Sequence, residues 1–186
     1  MSFSLIGVGI CSFAFHATMR QIPQYSDDLS MLLLAGALLH PVYAANQTLA
    51  IRRLIAVALV VIIGSISAIY VRDGNLLIHT ISFVVLITFV WPRTLWLVYS
   101  TERSEEEKKR MMGHFKWAAG AIVVGYTLWN IDLEYCFDLR AAREWLGAPL
   151  AWVLELHGWW HIFTALAASH FIRLIRMVTE EKAHKG

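Results

Sequence analysis

Six long stretches of apolar residues alternate with short polar segments along the chain, and this alternation is its clearest pattern. A helix needs about 20 mostly apolar residues to cross the hydrocarbon core of a bilayer. Each stretch is close to that length, and none shows the period-two alternation of a β-strand. The pattern therefore predicts six membrane-spanning helices, at about residues 2–19, 29–46, 51–71, 76–99, 114–135 and 150–176.

The composition agrees with a membrane protein. Of the 186 residues, 58% are hydrophobic and 16% are charged, and the mean hydropathy is +0.54. Soluble domains contain about 25% charged residues. We therefore expect an all-α, polytopic transmembrane helix bundle over residues 1–176 and a short cytosolic tail over residues 177–186. A net charge of +2 gives no indication of a nucleic-acid partner, and no protein partner can be inferred.

The distribution of lysine and arginine predicts the orientation of the bundle. In a six-span arrangement the second loop, the fourth loop and the tail share one side and carry eleven basic residues. The first, third and fifth loops share the other side and carry four. Because basic residues are enriched in cytoplasmic loops, we expect a cytosolic C-terminus.

Several ionisable side chains lie at the ends of the predicted spans, all near the first or fifth loop. Ionisable residues at membrane depth are costly, and they often mark functional sites. Because the first and fifth loops share the non-cytosolic side, four distant stretches of the chain reach a similar depth. The stretches carry Ser12 with His16, Asp27 with Asp28, Asp132 with Glu134, and His157 with His161.

These residue types can make up a hydrolytic metal site. His157 and His161 are four residues apart, so they share one helix face about 5–6 Å apart at Cβ and can bind one metal ion. His16 would supply a third nitrogen and leave a position for water, which such an ion activates. Asp27 could orient or deprotonate that water, and Ser12, one turn before His16, could donate to an oxyanion.

Each residue also has a simpler interpretation. A histidine in a membrane helix is commonly an interhelical hydrogen-bond partner, and serine is common at helix contacts. Asp27 could be the N-cap of the second span. The tryptophans beside the late histidines are typical interfacial anchors. Four further histidines, namely His40, His79, His114 and His170, are interpreted as structural, interfacial or outside the site.

Four segments together resemble a known family. They are "GVGICSFAFHAT", "DDLSM", "WNIDLEYC" and "LHGWWHIFT", and they resemble the alkaline ceramidase family, within a superfamily of seven-helix membrane hydrolases that includes the adiponectin-type receptors. The resemblance extends from about residue 5 to residue 176. It implies an intramembrane Zn²⁺ site with His16, His157 and His161 as metal ligands and Ser12 and Asp27 as catalytic residues. Asp27 is preferred to Asp28 because the acid of the family opens a similar segment.

The resemblance also implies a function. We expect hydrolysis of the amide bond of a ceramide-type lipid, giving a sphingoid base and a fatty acid, in endoplasmic reticulum or Golgi membranes. The alternative is a catalytically inactive, truncated or receptor-like membrane protein of the same superfamily. Family members have seven spans, whereas this chain is expected to begin inside the second. We expect no calcium site, because the acidic segment that holds calcium in some members would precede this sequence.

Overall fold

The computed structural model describes residues 1–100 and 102–180, which are helical almost throughout and contain no strand. This confirms the predicted all-α fold. The helices are α1 (Ser2–Thr18), α2 (Gln21–Ala44), α3 (Leu49–Asp73), α4 (Leu76–Ser100), α5 (Glu105–Glu134), α6 (Cys136–Leu146) and α7 (Leu156–Glu180), with a 3₁₀ helix at Leu150–Leu154.

The described chain falls into two compact units. The first consists of the described parts of Met1–Lys108 and Ile175–Gly186, and the second is Lys109–Leu174. The division into a domain at 1–176 and a cytosolic tail at 177–186 remains a prediction. The first residues of that tail belong to α7, and residues 181–186 lie outside the described part.

Three helices are long and apolar enough to cross a membrane by length and composition, and they are α3, α4 and the Leu156–Thr179 part of α7. α1 is a shorter apolar helix. Long helices also occupy the second and fifth predicted spans, and the total of six spans remains a prediction. Many apolar side chains of α3 face outward, among them Leu54, Val57 and Val61, as expected of a surface that contacts lipid.

Three predicted boundaries were wrong by several residues. α2 begins at Gln21, so most of the predicted first loop is helical. α5 begins at Glu105 because the backbone N–H of Glu107 donates to the Ser104 hydroxyl and the backbone N–H of Ser104 donates to the Glu107 carboxylate, which is a capping box. The predicted sixth span at 150–176 starts instead with the 3₁₀ helix, and its α-helix begins at Leu156.

In the first unit, α2 is the central helix and packs against α1, α3 and α4. Leu32, Ala35, Leu39 and Val42 are buried along it at spacings of three and four residues, which places them on one face of the helix. Val90 and Leu97 of α4 are also buried. Because α2 packs against α1, α3 and α4, its rotation determines which of its residues face each of these helices.

In the second unit, side chains of α5 and α7 contact each other. The rings of Trp129 and Trp160 stack with centroids 5.9 Å apart. A Cβ atom added to Gly125 would lie 3.0 Å from Cβ of Phe163 and 3.2 Å from the Trp160 ring, so the absence of a side chain at Gly125 allows this approach. Gly120, in the same helix, has no atom within 4 Å of such a Cβ.

These two glycines allow a matched test of the α5–α7 contact. We expect Gly125→Ala to destabilise the protein by about 1 kcal/mol, because the methyl group overpacks the contact with Phe163. Gly120→Ala should be neutral or stabilising by up to about 1 kcal/mol, since alanine is the better helix former. Thermal unfolding in one detergent measures both, and equal shifts of the two variants would contradict the packing role.

Candidate functional site

Three of the five predicted site residues lie together in the first unit. Ser12 is buried on α1, and His16 follows one turn later on the same helix. Asp27 lies in the second turn of α2, which packs against α1. Ser12 and His16 are both close enough to Asp27 to act electrostatically on its carboxylate.

The alternative interpretation of Asp27 as a helix cap is wrong. α2 begins six residues earlier, with Arg20 at the N-cap position. Asp27 lies within the helix, and its backbone carbonyl accepts a hydrogen bond of 2.6 Å from the hydroxyl of Ser30. Its carboxylate is therefore available to the α1 residues and is not used for capping.

Asp28 belongs to a different polar cluster on the other side of α2. Its carboxylate accepts a hydrogen bond from the hydroxyl of Tyr70 on α3. Nδ1 of His79 on α4 lies 3.8 Å from the other carboxylate oxygen, which is an ion-pair distance but too long for a hydrogen bond. Tyr70 and His79 are 1% and 5% exposed. Asp28, Tyr70 and His79 therefore connect α2, α3 and α4 at the depth of Asp27.

This cluster was not predicted from the sequence. His79 was interpreted as structural or interfacial, and Tyr70 was not considered. The sequence nevertheless contained a signal. Tyr70 and His79 flank the short connection between α3 and α4, and this connection corresponds to the third predicted loop. That loop is predicted on the same side of the membrane as Asp28.

The two late histidines lie in the first two turns of α7, in the second unit. The rings of His157 and His161 have centroids 4.8 Å apart at an interplanar angle of 71°, and both side chains are partly buried. Two imidazoles that share one helix face match the nitrogen ligands that zinc accepts, so the pair could hold a metal ion. The imidazole nitrogens of His157 and His161 are therefore suitable ligands for the zinc ion expected from the family resemblance.

Arg143 connects the end of α5 with the segment that precedes α7, the helix that carries His157 and His161. Arg143 on α6 donates to the Glu155 carboxylate at 2.9 Å and to the Leu154 carbonyl at 3.3 Å, and it lies 3.9 Å from the Asp132 carboxylate. Asp132 thus takes part in an ion pair at the end of α5. Because Glu155 directly precedes α7, Arg143 helps to place the first turn that carries His157.

The comparison with known proteins identifies the family. A sequence model of the Ceramidase family matches residues 1–186. The chain belongs to the Ceramidase family. This confirms the resemblance seen in the four segments around the candidate site.

Three curated relatives share this family with the chain. It is 30% identical to alkaline ceramidase YPC1 of Saccharomyces cerevisiae, over 91% of the chain and 57% of the relative. It is 23% identical to alkaline ceramidase 3 of Mus musculus, over 89% and 60%, and 21% identical to putative alkaline ceramidase dcd3A of Dictyostelium discoideum, over 88% and 58%. The chain thus spans about three-fifths of the length of these ceramidases.

The Asp28 cluster of this Ceramidase-family chain leads to a stability prediction. We expect Tyr70→Phe to destabilise the protein by about 1–3 kcal/mol, because it leaves a partly buried carboxylate without its hydroxyl donor. Tyr25→Phe is the control, since Tyr25 also packs its ring against Tyr70 but its hydroxyl accepts an exposed hydrogen bond from Gln21. Thermal unfolding of both variants measures the difference, and equal melting temperatures would refute the role of the Tyr70 hydroxyl.

Proposed function

We propose that this chain provides the catalytic part of a zinc-dependent intramembrane hydrolase that cleaves the amide bond of ceramide to a sphingoid base and a fatty acid. The observation that carries the proposal is the meeting of Ser12, His16 and Asp27 in the first unit, in a chain of the Ceramidase family. These residues supply an alcohol, a metal-binding imidazole and a carboxylate, which are the groups that metal-assisted amide hydrolysis uses.

His16, His157 and His161 are the proposed zinc ligands. In support, His157 and His161 share one face of α7 with ring centroids 4.8 Å apart, and imidazole nitrogen is a ligand that zinc accepts. His16 lies near the C-terminal end of α1, whereas His157 and His161 lie near the N-terminal end of α7. In a six-span arrangement, the end of the first span and the start of the sixth lie on the same side of the membrane, so the three imidazoles belong to one depth.

The metal and the chain have separate tasks in the proposed reaction. Bound zinc polarises the amide carbonyl and lowers the pKa of water towards neutrality. Asp27 accepts a proton from the attacking water, whose oxygen forms a bond to the carbonyl carbon. The Ser12 hydroxyl turns from Asp27 towards the carbonyl oxygen and donates to the negative charge that develops there.

Asp27 then returns the proton to the leaving nitrogen. The carbon–nitrogen bond breaks, the fatty acid keeps the oxygen of water, and the sphingoid base leaves as an amine. Proton transfer through one carboxylate needs no second acid in the site. Asp28 cannot take this part, because its carboxylate is directed to Tyr70 and His79.

The proposed substrate and location follow from the likeness of the chain to the alkaline ceramidases. A ceramide-type lipid already resides in the bilayer and reaches the helices laterally among the membrane lipids. We place the protein in endoplasmic reticulum or Golgi membranes, with the C-terminus cytosolic and the site near the lumenal surface. The excess of basic residues in the predicted second and fourth loops and the tail supports this orientation.

Removal of one proposed ligand tests the metal site. We expect His157→Ala to lose both bound zinc and ceramide cleavage, with turnover reduced at least about a hundredfold, because the remaining imidazoles hold the ion poorly. His40→Ala is the control, since His40 lies near the far end of α2, with Nε2 3.4 Å from the Arg52 carbonyl. Zinc content and ceramide hydrolysis are measured on the same purified sample. Normal turnover in His157→Ala would rule out the ligand role, and zinc without turnover in the unmodified chain would favour the inactive, receptor-like alternative.

A second variant separates catalysis from metal binding. We expect Asp27→Asn to lower kcat by about a thousandfold while zinc content is retained, because an amide cannot accept the proton of water. The measurement is ceramide turnover together with zinc per chain. If Asp27→Asn instead lost zinc along with activity, Asp27 would have to be reassigned as a ligand.

A further inference from the structure

A second histidine pair lies in the second unit, between α5 and α7, and the proposed hydrolysis does not use it. Nδ1 of His114 and Nδ1 of His170 are 3.0 Å apart, and the ring centroids are 5.2 Å apart. At this distance one Nδ1 donates its hydrogen and the other accepts it. The accepting ring, when neutral, carries its proton on Nε2, so it presents an N–H donor on the opposite side of the ring.

Two arginines surround this pair. Arg110 lies one turn before His114 on α5, and Arg173 lies one turn after His170 on α7. Both are exposed, and both act electrostatically on His114. Within the part of the chain that the structure describes, neither forms an ion pair, whereas Arg143 of the same unit is paired with carboxylates.

The charges decide which kind of ligand this cluster can take. Two imidazole nitrogens so close together could suggest a metal site. The two neighbouring guanidinium groups oppose a cation and attract an anion. A guanidinium fork also matches the oxygens of a phosphate, to which it donates two parallel hydrogen bonds. The cluster therefore fits a phosphate group.

The position of the cluster along α7 indicates the source of that phosphate. Arg173 follows His157 by 16 residues, which corresponds to about 24 Å along the helix axis. A hydrocarbon core is about 30 Å thick, so the cluster lies near the membrane surface opposite the late histidines. Trp117 is 70% exposed and stacks on His170 with centroids 6.1 Å apart, as expected of an aromatic ring at headgroup level.

We propose that Arg110, Arg173 and the His114–His170 pair bind the headgroup phosphate of an acidic phospholipid. Basic pockets between membrane helices on the cytoplasmic side bind acidic headgroups in this way. The predicted orientation places the cluster in the cytosolic leaflet, which contains such lipids. This site shares no residue with the proposed hydrolytic site, so failure of one proposal would not by itself contradict the other.

The test is a lipid titration of the full chain, purified in a neutral detergent. Phosphatidylserine and phosphatidylcholine are added separately, and bound lipid per chain is counted by native mass spectrometry. We expect tighter binding of phosphatidylserine, and we expect the double substitution Arg110→Gln with Arg173→Gln to weaken it at least about tenfold. Arg140→Gln is the matched control, because Arg140 is an exposed arginine of the same unit on α6 and should leave binding unchanged.

Three results would overturn the proposal. They are unchanged phosphatidylserine binding in the double glutamine variant, equal binding of both lipids by the unmodified chain, and complete displacement of phosphatidylserine by millimolar inorganic phosphate. The last result would indicate a site for free anions. If the glutamine variant is not monodisperse, the charge-retaining pair Arg110→Lys with Arg173→Lys replaces it. That pair should bind more weakly than the unmodified chain because it lacks the guanidinium forks, and equal affinity would refute the site.

Discussion

The first unit depends on the partial burial of two adjacent carboxylates among apolar helices. Asp27 and Asp28 are consecutive on α2, so they point about 100° apart around the helix axis. The structure gives each its own partners, with Ser12 and His16 of α1 on one side and Tyr70 and His79 of α3 and α4 on the other. In lipid, apolar contacts alone distinguish poorly between helix rotations, because the acyl chains are as apolar as leucine. A rotation of α2 would remove both carboxylates from their partners, so these polar contacts define its orientation.

Polar contacts also help to position a helix in the second unit, where an ion-pair cluster around Arg143 lies at the ends of the helices. Arg143 bonds to Glu155 immediately before α7 and lies beside Asp132 near the end of α5. Arg143 is partly buried, so loss of its guanidinium group would leave the partly buried Asp132 carboxylate without its opposite charge. Because Glu155 adjoins the first turn of α7, the depth of His157 depends on this ion-pair cluster. The late histidines are therefore held by polar contacts near loop five, in addition to the aromatic contacts farther along α7.

Much of this arrangement could be predicted from the sequence, and the rest could not for identifiable reasons. The helices were predictable because each apolar stretch is long and continuous. The pairing of Ser12 with His16 followed from their spacing of one turn. The starts of α2 and α5 were missed because they continue through polar residues, and in α5 the Ser104–Glu107 capping box decides the boundary. Hydropathy alone does not report such a cap.

The sequence indicated that Tyr70 lies on the same side of the membrane as Asp28, but it could not predict that these two residues contact each other or that His114 contacts His170. Each contact joins residues more than forty positions apart, on helices whose mutual rotation is set by three-dimensional packing. His170 was set aside because it does not share a face with His161, and that argument was geometrically correct. A helix that meets a neighbour along much of its length can use different faces at its two ends.

The contacts between α5 and α7 show how the two ends of α7 are related. Trp160 and Phe163 meet α5 at Trp129 and Gly125, whereas His170 meets it at His114. The residue numbers of the contacts rise along α7 while they fall along α5. The two helices therefore run antiparallel. An α-helix advances 1.5 Å per residue, so the 13 residues from His157 to His170 form a nearly rigid rod about 20 Å long. A displacement of α7 along its axis would break the His114–His170 hydrogen bond and move His157 by the same amount. The polar contact at one end therefore restrains the depth of the imidazole at the other.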